Sequence, residues 1–116
     1  MSDMQSIEMT RGDTRKEKFQ IKDASGSVLD ISLDEAYVTV KNSFDDEEFL
    51  FQKKLTDGDI TKSDTYYYFT IQPEDTDDLE YGTYVFDVQI NYNNEKHTII
   101  KGNLQITNEV TFASNE

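Results

Sequence analysis

Apolar and polar residues alternate along most of this chain, and that period of two is the feature that most constrains its fold. The clearest case is 83–92, where the apolar positions are Tyr84, Phe86, Val88, Ile90 and Tyr92. Alternation gives a β-strand one apolar face and one polar face, whereas a helix, with about 3.6 residues per turn, would mix the two. The segment is therefore predicted to be a half-buried strand.

The same pattern predicts six further strands, at 5–10, 15–22, 36–41, 49–54, 65–71 and 97–107. Turn-forming residues separate several of them, at 23–27, 57–59 and 93–96. Residues 72–79, with Pro73 near their start, allow at most one short helical turn. About seven short strands in 116 residues predict an all-β antiparallel sandwich or barrel.

Length and composition indicate one folded domain, residues 1–116, with a core at about 5–112. Seven Tyr and seven Phe argue against a disordered acidic tail, because such tails contain few aromatic residues. The chain has no Cys, which excludes a disulfide framework, a thiolate zinc site and a cysteine nucleophile.

The charge is strongly acidic, with 24 Asp and Glu against 11 Lys and Arg and a formal net charge of −13. Such a charge repels phosphate backbones, so we expect no binding to nucleic acid, although an acidic chain could imitate DNA. The N-terminal residues lack the basic and apolar regions of a signal peptide, and no apolar run approaches the roughly 18 residues of a membrane span. We therefore expect no secretion signal and no membrane partner.

Residues 79–86 resemble the corner that leads into strand F of the immunoglobulin fold, where an acid-x-Gly-x-Tyr sequence occurs. Glu80, Gly82 and Tyr84 fill those positions, and Phe86 stands where an antibody domain has its second Cys. The resemblance implies an immunoglobulin-like sandwich without a disulfide. It also implies a structural role for Tyr84, whose hydroxyl would bond to upstream backbone.

Five pieces of the chain, in order, carry a wider resemblance. They are IEMTRGDT at 7–14, VLDI at 28–31 with AYVTVK at 36–41, FTIQPEDT at 69–76, YGTYVFDV at 81–88 and KGNLQIT at 101–107. Together they resemble the immunoglobulin-like N-terminal domain of phage baseplate upper proteins and the small phage tail proteins related to it, over about residues 7–111. The resemblance implies a non-catalytic structural or adaptor protein of a phage or prophage tail or baseplate. It would be made in the host cytoplasm, join the virion, and bind other tail or baseplate proteins or further copies of itself.

The run Tyr66-Tyr67-Tyr68-Phe69 is the candidate interface. If Tyr67, Phe69 and Ile71 face the core, Tyr66 and Tyr68 must face outward. Tyr is enriched at protein interfaces, so we expect this surface, together with Tyr37 or Tyr92, to pack against a partner subunit. Ordinary cross-strand pairing on a sheet surface remains the alternative explanation.

Acidic runs at 45–48 and 74–80 could supply oxygen ligands to Ca²⁺, with Asp75, Asp77 and Asp78 as weak candidates. The spacing does not match a calcium-binding loop, so solvated loops are the favoured interpretation, with no metal and no cofactor. His97, the only histidine, is expected to lie exposed on a sheet face with Ile99 and Lys101. No nucleophile motif or phosphate-binding loop is present, and the chain is predicted not to be an enzyme.

Two other functions stay open beside the structural one. An acidic inhibitor could imitate DNA if its carboxylates followed the spacing of phosphates. A small carbohydrate-binding module could use Tyr66 and Tyr68 as stacking platforms for sugar rings.

Overall fold

In the computed structural model, residues 3–107 are described and form nine strands and one short helix. The elements are β1 (Asp3–Thr10), β2 (Arg15–Lys22), β3 (Val28–Leu29), β4 (Glu35–Lys41), β5 (Phe51–Lys54), β6 (Ile60–Ser63), β7 (Tyr66–Ile71), α1 (Pro73–Thr76), β8 (Gly82–Tyr92) and β9 (Glu95–Thr107). Each of the strands predicted from alternation is present, with ends that shift by two residues at most. The predicted helical turn is α1. Residues 108–112 of the predicted core lie outside the described residues.

The strands form two sheets, which confirms the all-β sandwich. The five-stranded sheet has the order β1-β9-β8-β4-β5, and the four-stranded sheet has the order β3-β2-β7-β6. One pair departs from the expected antiparallel arrangement: β1 runs parallel to β9, with Asp3 opposite Ile100 and Thr10 opposite Thr107. The corner at 11–14 carries the chain from one sheet into the other, so β1 does not form a hairpin with β2 and pairs with β9 instead.

Alternation decides which side chains fill the space between the sheets. The buried residues include Ile7 and Met9 on β1, Phe19 and Ile21 on β2, Val38 and Val40 on β4, Tyr67, Phe69 and Ile71 on β7, Tyr84, Phe86, Val88 and Ile90 on β8, and Leu104 and Ile106 on β9. Tyr92 shares the parity of the buried β8 residues but is 40% exposed, because it lies at the end of the strand.

Two strands were not predicted, and both are short. β3 pairs only two residues with β2, Val28 with Lys22 and Leu29 with Ile21. β6 pairs with β7 through four residues, of which only Ile60 is buried. Segments this short contain too few alternating positions to produce a period of two, so the described residues form nine strands where about seven were expected.

Local backbone conformation explains the tight connections. The β8–β9 hairpin turns through Asn93 and Asn94, whose φ angles are 57° and 65°. Positive φ at both central residues is the requirement of a two-residue type I′ turn, and Asn tolerates it better than most residues. Within residues 3–107, no helix has the length and apolar character needed to cross a lipid bilayer.

The segment that enters β8 has the hydrogen bond that defines a tyrosine corner. The hydroxyl of Tyr84 donates to the carbonyl oxygen of Glu80 at 2.7 Å. Gly82 between them has a φ of 152°, which L side chains rarely adopt. The corner therefore fixes the path of the chain from α1 into the central strand of the larger sheet.

Candidate functional site

The outer face of the four-stranded sheet carries lysine and tyrosine side chains. Phe19 and Ile21 on β2 and Tyr67, Phe69 and Ile71 on β7 point into the core, so the residues between them point outward. We call this surface the lysine–tyrosine face. Its residues are Lys16, Lys18, Gln20 and Lys22 on β2, Thr61 and Ser63 on β6, and Tyr66, Tyr68 and Thr70 on β7.

Two tyrosines form the centre of this face. The ring centroids of Tyr66 and Tyr68 are 6.0 Å apart, and the ring planes are tilted by 48°. Lys18 lies opposite Tyr68 in the β2–β7 register, and its Nζ atom is 4.4 Å from the ring centroid of Tyr66, within cation–π range. Tyr68 remains 38% exposed, so the sheet presents an aromatic surface to solvent beside a positive charge.

The charge of this face is opposite to that of the molecule. None of the outward positions on β2, β6 and β7 carries an acidic side chain, and three of them carry lysine. The chain as a whole has a formal net charge of −13. This face therefore carries positive charge without acids, which suits an acidic partner surface.

Tyr37 and Tyr92 do not belong to this face. Tyr37 lies between buried Ala36 and Val38 on β4, so it points outward from the five-stranded sheet, on the opposite side of the sandwich. Tyr92 lies at the end of β8, in a cleft between the sheets. The four tyrosines singled out in the sequence thus do not form one surface, because alternation shows that a residue faces outward but not from which sheet.

The cleft is a cavity of about 780 Å³ between β2 and the first half of β9. Apolar side chains from both sheets line it, including Phe19, Ile21, Leu29, Ile31, Ile90 and Ile99. Tyr66, Tyr92, His97 and the lysines at 18 and 22 complete its wall. The cleft therefore combines an apolar floor with aromatic and polar groups, the usual make-up of a small-ligand site.

His97 is exposed, as expected, but it faces the cleft. The β8–β9 register is interrupted between Val88 and Gln89, where β9 contains one extra residue. This bulge reverses the alternation, so His97 pairs with the buried Ile90 and shares its side of the sheet. Its Nε2 atom lies 3.1 Å from a carboxylate oxygen of Glu95.

The calcium candidates are not assembled into a metal site. The carboxylate of Asp75 accepts a hydrogen bond from the Gln72 backbone amide at 2.7 Å and pairs with the Lys53 ammonium at 2.6 Å. Asp77 and Asp78 are exposed beside it. In the part of the chain that the structure describes, no group of three or more acidic or histidine side chains is positioned to hold a metal ion.

The connection between β4 and β5 is a second surface feature. Its acids were expected to form a solvated loop, but Phe49 and Leu50 were assigned to the predicted strand at 49–54, whereas β5 begins at Phe51. We call residues 42–50 the acidic–aromatic loop. Its four consecutive acids, 45–48, are flanked by Phe44, Phe49 and Leu50, which are 42%, 51% and 37% exposed. The available signal in the sequence was that large apolar residues border the charged run on both sides.

Local contacts hold the base of this loop. The Lys41 ammonium donates to the carbonyl oxygen of Asp46 at 2.8 Å, and the Asp46 amide donates to the Ser43 carbonyl at 3.1 Å. Phe44 lies on the outer side of the five-stranded sheet, with its ring centroid 5.6 Å from Nζ of Lys101. Near these lysines, burial raises the pKa of Asp87 above its ordinary value of 3.8, although Lys41 and Lys101 act in the opposite direction.

Comparison with known proteins gives no relative: no protein-family model matches the chain, and no curated protein has significant sequence similarity to it.

Proposed function

We propose that this protein is a non-catalytic structural or adaptor component of a phage or prophage tail or baseplate, and that it acts by docking onto other proteins. The observation that carries the docking role is the lysine–tyrosine face, an acid-free sheet surface on a strongly acidic chain. The sequence resemblance to baseplate upper proteins supplies the context of a tail.

The face has the composition of an interface. Tyr offers a large contact area with little conformational entropy to lose, and it is over-represented among residues whose truncation weakens binding. Lysines around the aromatic pair would select an acidic partner and speed its association. The proposed docking surface therefore centres on Tyr66 and Tyr68, with Lys18 beside them.

Particle incorporation tests this proposal. In purified particles from the source's phage or induced prophage, quantitative mass spectrometry should find the chain at a fixed copy number per tail that matches the tail symmetry. Replacing Tyr66 and Tyr68 with Ser should lower that number, because the contact surface is lost. The matched control replaces Tyr37 and Tyr81, two tyrosines outside the face, with Ser and should leave it unchanged.

Two results would count against the proposal. If particles form normally and never contain the chain, the chain is not a component of the tail. A double variant that enters particles at the wild-type copy number, and is folded by circular dichroism, would remove the lysine–tyrosine face as the docking surface.

The cleft favours a carbohydrate-binding module as the second candidate. Its volume of about 780 Å³ lies within the range of ligand pockets, and its wall includes Tyr66 and Tyr92. A sugar bound there should shift tyrosine fluorescence, and Tyr92→Ser should abolish the shift. This candidate differs from the expectation that Tyr66 and Tyr68 form the stacking platform, since only Tyr66 reaches the cleft.

A DNA-mimic inhibitor is less well supported. Such a protein needs carboxylates along a continuous surface, but the outward positions of β2, β6 and β7 carry none. Strong, salt-sensitive binding to a DNA-handling enzyme would favour it over the structural role.

A further inference from the structure

We propose that the lysine–tyrosine face of one copy binds the acidic–aromatic loop of a second copy, so that chains associate head to tail. This inference rests on the docking role proposed above and names the partner of that same face. It follows from the charge, the apolar exposure and the placement of the two surfaces.

Charge is the first argument. The face presents Lys16, Lys18 and Lys22 at outward positions without an acid among the outward positions of its three longer strands. The loop presents four consecutive acids, three of them exposed. Opposite charges gathered on separate surfaces of one chain are complementary between two copies, and such complementarity fixes register and orientation at an interface.

Exposed apolar surface is the second argument. Phe44, Phe49 and Leu50 border the acids, and Phe49 is 51% exposed. On the opposing surface Tyr68 is 38% exposed beside Tyr66. The same two segments that match in charge therefore also carry exposed aromatic side chains, and aromatic residues are enriched at interface centres.

Placement is the third argument. Phe44 lies against Lys101, which pairs with Asp87 on the outer side of the five-stranded sheet. The lysine–tyrosine face is the outer side of the other sheet. Because the sandwich separates the two surfaces, one chain cannot join its own loop to its own face. A contact between unlike surfaces repeats from copy to copy, and it produces a ring where the rotation closes or a filament where it does not.

Sedimentation velocity of the purified chain over a range of concentrations, with two complementary variants, tests the proposal. The face variant combines Lys16→Gln, Lys18→Gln, Lys22→Gln and Tyr68→Ser. The loop variant combines Glu47→Gln, Glu48→Gln and Phe49→Ser. Wild type should self-associate with rising concentration, and each variant alone should associate at least about tenfold more weakly.

The mixture is the decisive sample. The face variant keeps an intact loop, and the loop variant keeps an intact face, so their equimolar mixture should form a 1:1 dimer and stop there. Carbodiimide crosslinking of wild type should join loop carboxylates to lysines of the face between chains. Control variants that each remove two charges elsewhere, Lys54→Gln with Lys96→Gln and Asp77→Asn with Asp78→Asn, should associate as wild type does.

Three results would overturn the inference. The first is a wild type that stays monomeric up to about millimolar concentration, where even a weak contact would form. The second is a face variant or loop variant that self-associates as strongly as wild type. The third is an equimolar mixture of the two variants that does not form a dimer. Circular dichroism of each variant separates misfolding from loss of contact. If self-association fails but Tyr66 and Tyr68 are still needed for entry into particles, the face binds a different tail protein, and the proposed function stands without this inference.

Discussion

Tyr67 joins several parts of the core through its ring and its hydroxyl. It is 1% exposed, and its ring stacks on Phe19 with centroids 5.5 Å apart. Its hydroxyl donates to the Ile31 carbonyl at 2.7 Å and accepts from the Leu33 amide at 3.1 Å. One side chain on β7 therefore holds the irregular connection between β3 and β4 against the four-stranded sheet.

Tyr67→Phe should destabilise the protein by about 1–3 kcal/mol, because the Leu33 amide loses its partner in a buried environment. Urea unfolding followed by far-ultraviolet circular dichroism measures the change. Tyr68→Phe is the control, since the adjacent tyrosine is 38% exposed and should tolerate the same substitution with little effect. Equal stabilities of the two variants would contradict this account of the hydroxyl.

Asp87 should make stability depend on pH. Burial raises its pKa in the folded state above the ordinary value of 3.8, so the folded protein holds this proton more tightly than the unfolded chain does. The associated stability is present below pH 3.8 and is lost as the pH rises through the folded-state pKa. Asp87→Asn should remove this pH-dependent loss of stability, because Asn does not ionise.

The measurement compares the unfolding temperatures of wild type and Asp87→Asn at acidic and neutral pH. The unfolding temperature of the variant should rise relative to that of wild type as the pH rises, because the variant carries no carboxylate to ionise. A difference that stays constant with pH would show that burial does not dominate at this site, and that Lys41 and Lys101 offset it.

At the scale of elements, the short helix α1 acts as a connection between distant parts of the sandwich. Thr76 is fully buried, and its hydroxyl oxygen accepts a hydrogen bond from the Gly12 amide at 2.9 Å. Asp75 pairs with Lys53 on β5, and both side chains are less than 15% exposed. A helix of one turn thus contacts both the corner after β1 and the edge strand β5.

Thr76→Val should cost about 1–3 kcal/mol, because the substitution keeps the shape but leaves the Gly12 amide without its partner. Thr83→Val is the control, because Thr83 is exposed on β8 and Val suits a strand. Chemical denaturation of both variants tests the difference. A Thr76→Val variant as stable as the control would mean that water satisfies the amide.

Sequence alternation predicted the long strands because each buries several residues on one side. It could not place Tyr37 and Tyr66 on opposite sides of the sandwich, because the outward face of either sheet gives the same pattern. The bulge in β9 could not be predicted from the sequence either. One extra residue near Ile99 moves His97 to the other side of the sheet, and it leaves the amino-acid composition of the strand unchanged. The acids at 45–48 were expected in a solvated loop, but the exposure of Phe44, Phe49 and Leu50 beside them was not foreseen, because exposure depends on the fold.

The whole molecule carries far more negative than positive charge, although the outward positions of β2, β6 and β7 carry lysines and no acids. Like charges on a compact chain repel, and this repulsion lowers the stability of the folded state. Salt reduces the interaction, since the Debye length shortens from about 30 Å at 0.01 M to about 10 Å at 0.1 M. The stability of this protein should therefore depend strongly on ionic strength.

The unfolding temperature should rise when salt is increased from about 0.01 M to about 0.5 M at neutral pH, because repulsion is screened. Differential scanning calorimetry with NaCl and KCl in parallel measures the effect and separates screening from binding of a particular cation. A fall in unfolding temperature would mean that attractive pairs such as Asp75 with Lys53 outweigh the net repulsion.

The parallel pairing of β1 with β9 has a mechanical consequence. Asp3 lies beside Ile100 and Thr10 beside Thr107, so the described chain enters at one end of the sandwich and leaves at the other. Tension applied through these two ends would slide the strands past each other, and the whole ladder would bear the force at once. Hydrogen bonds loaded together in shear resist rupture better than bonds opened one after another, so the β1–β9 pairing should resist a pulling force applied along its length.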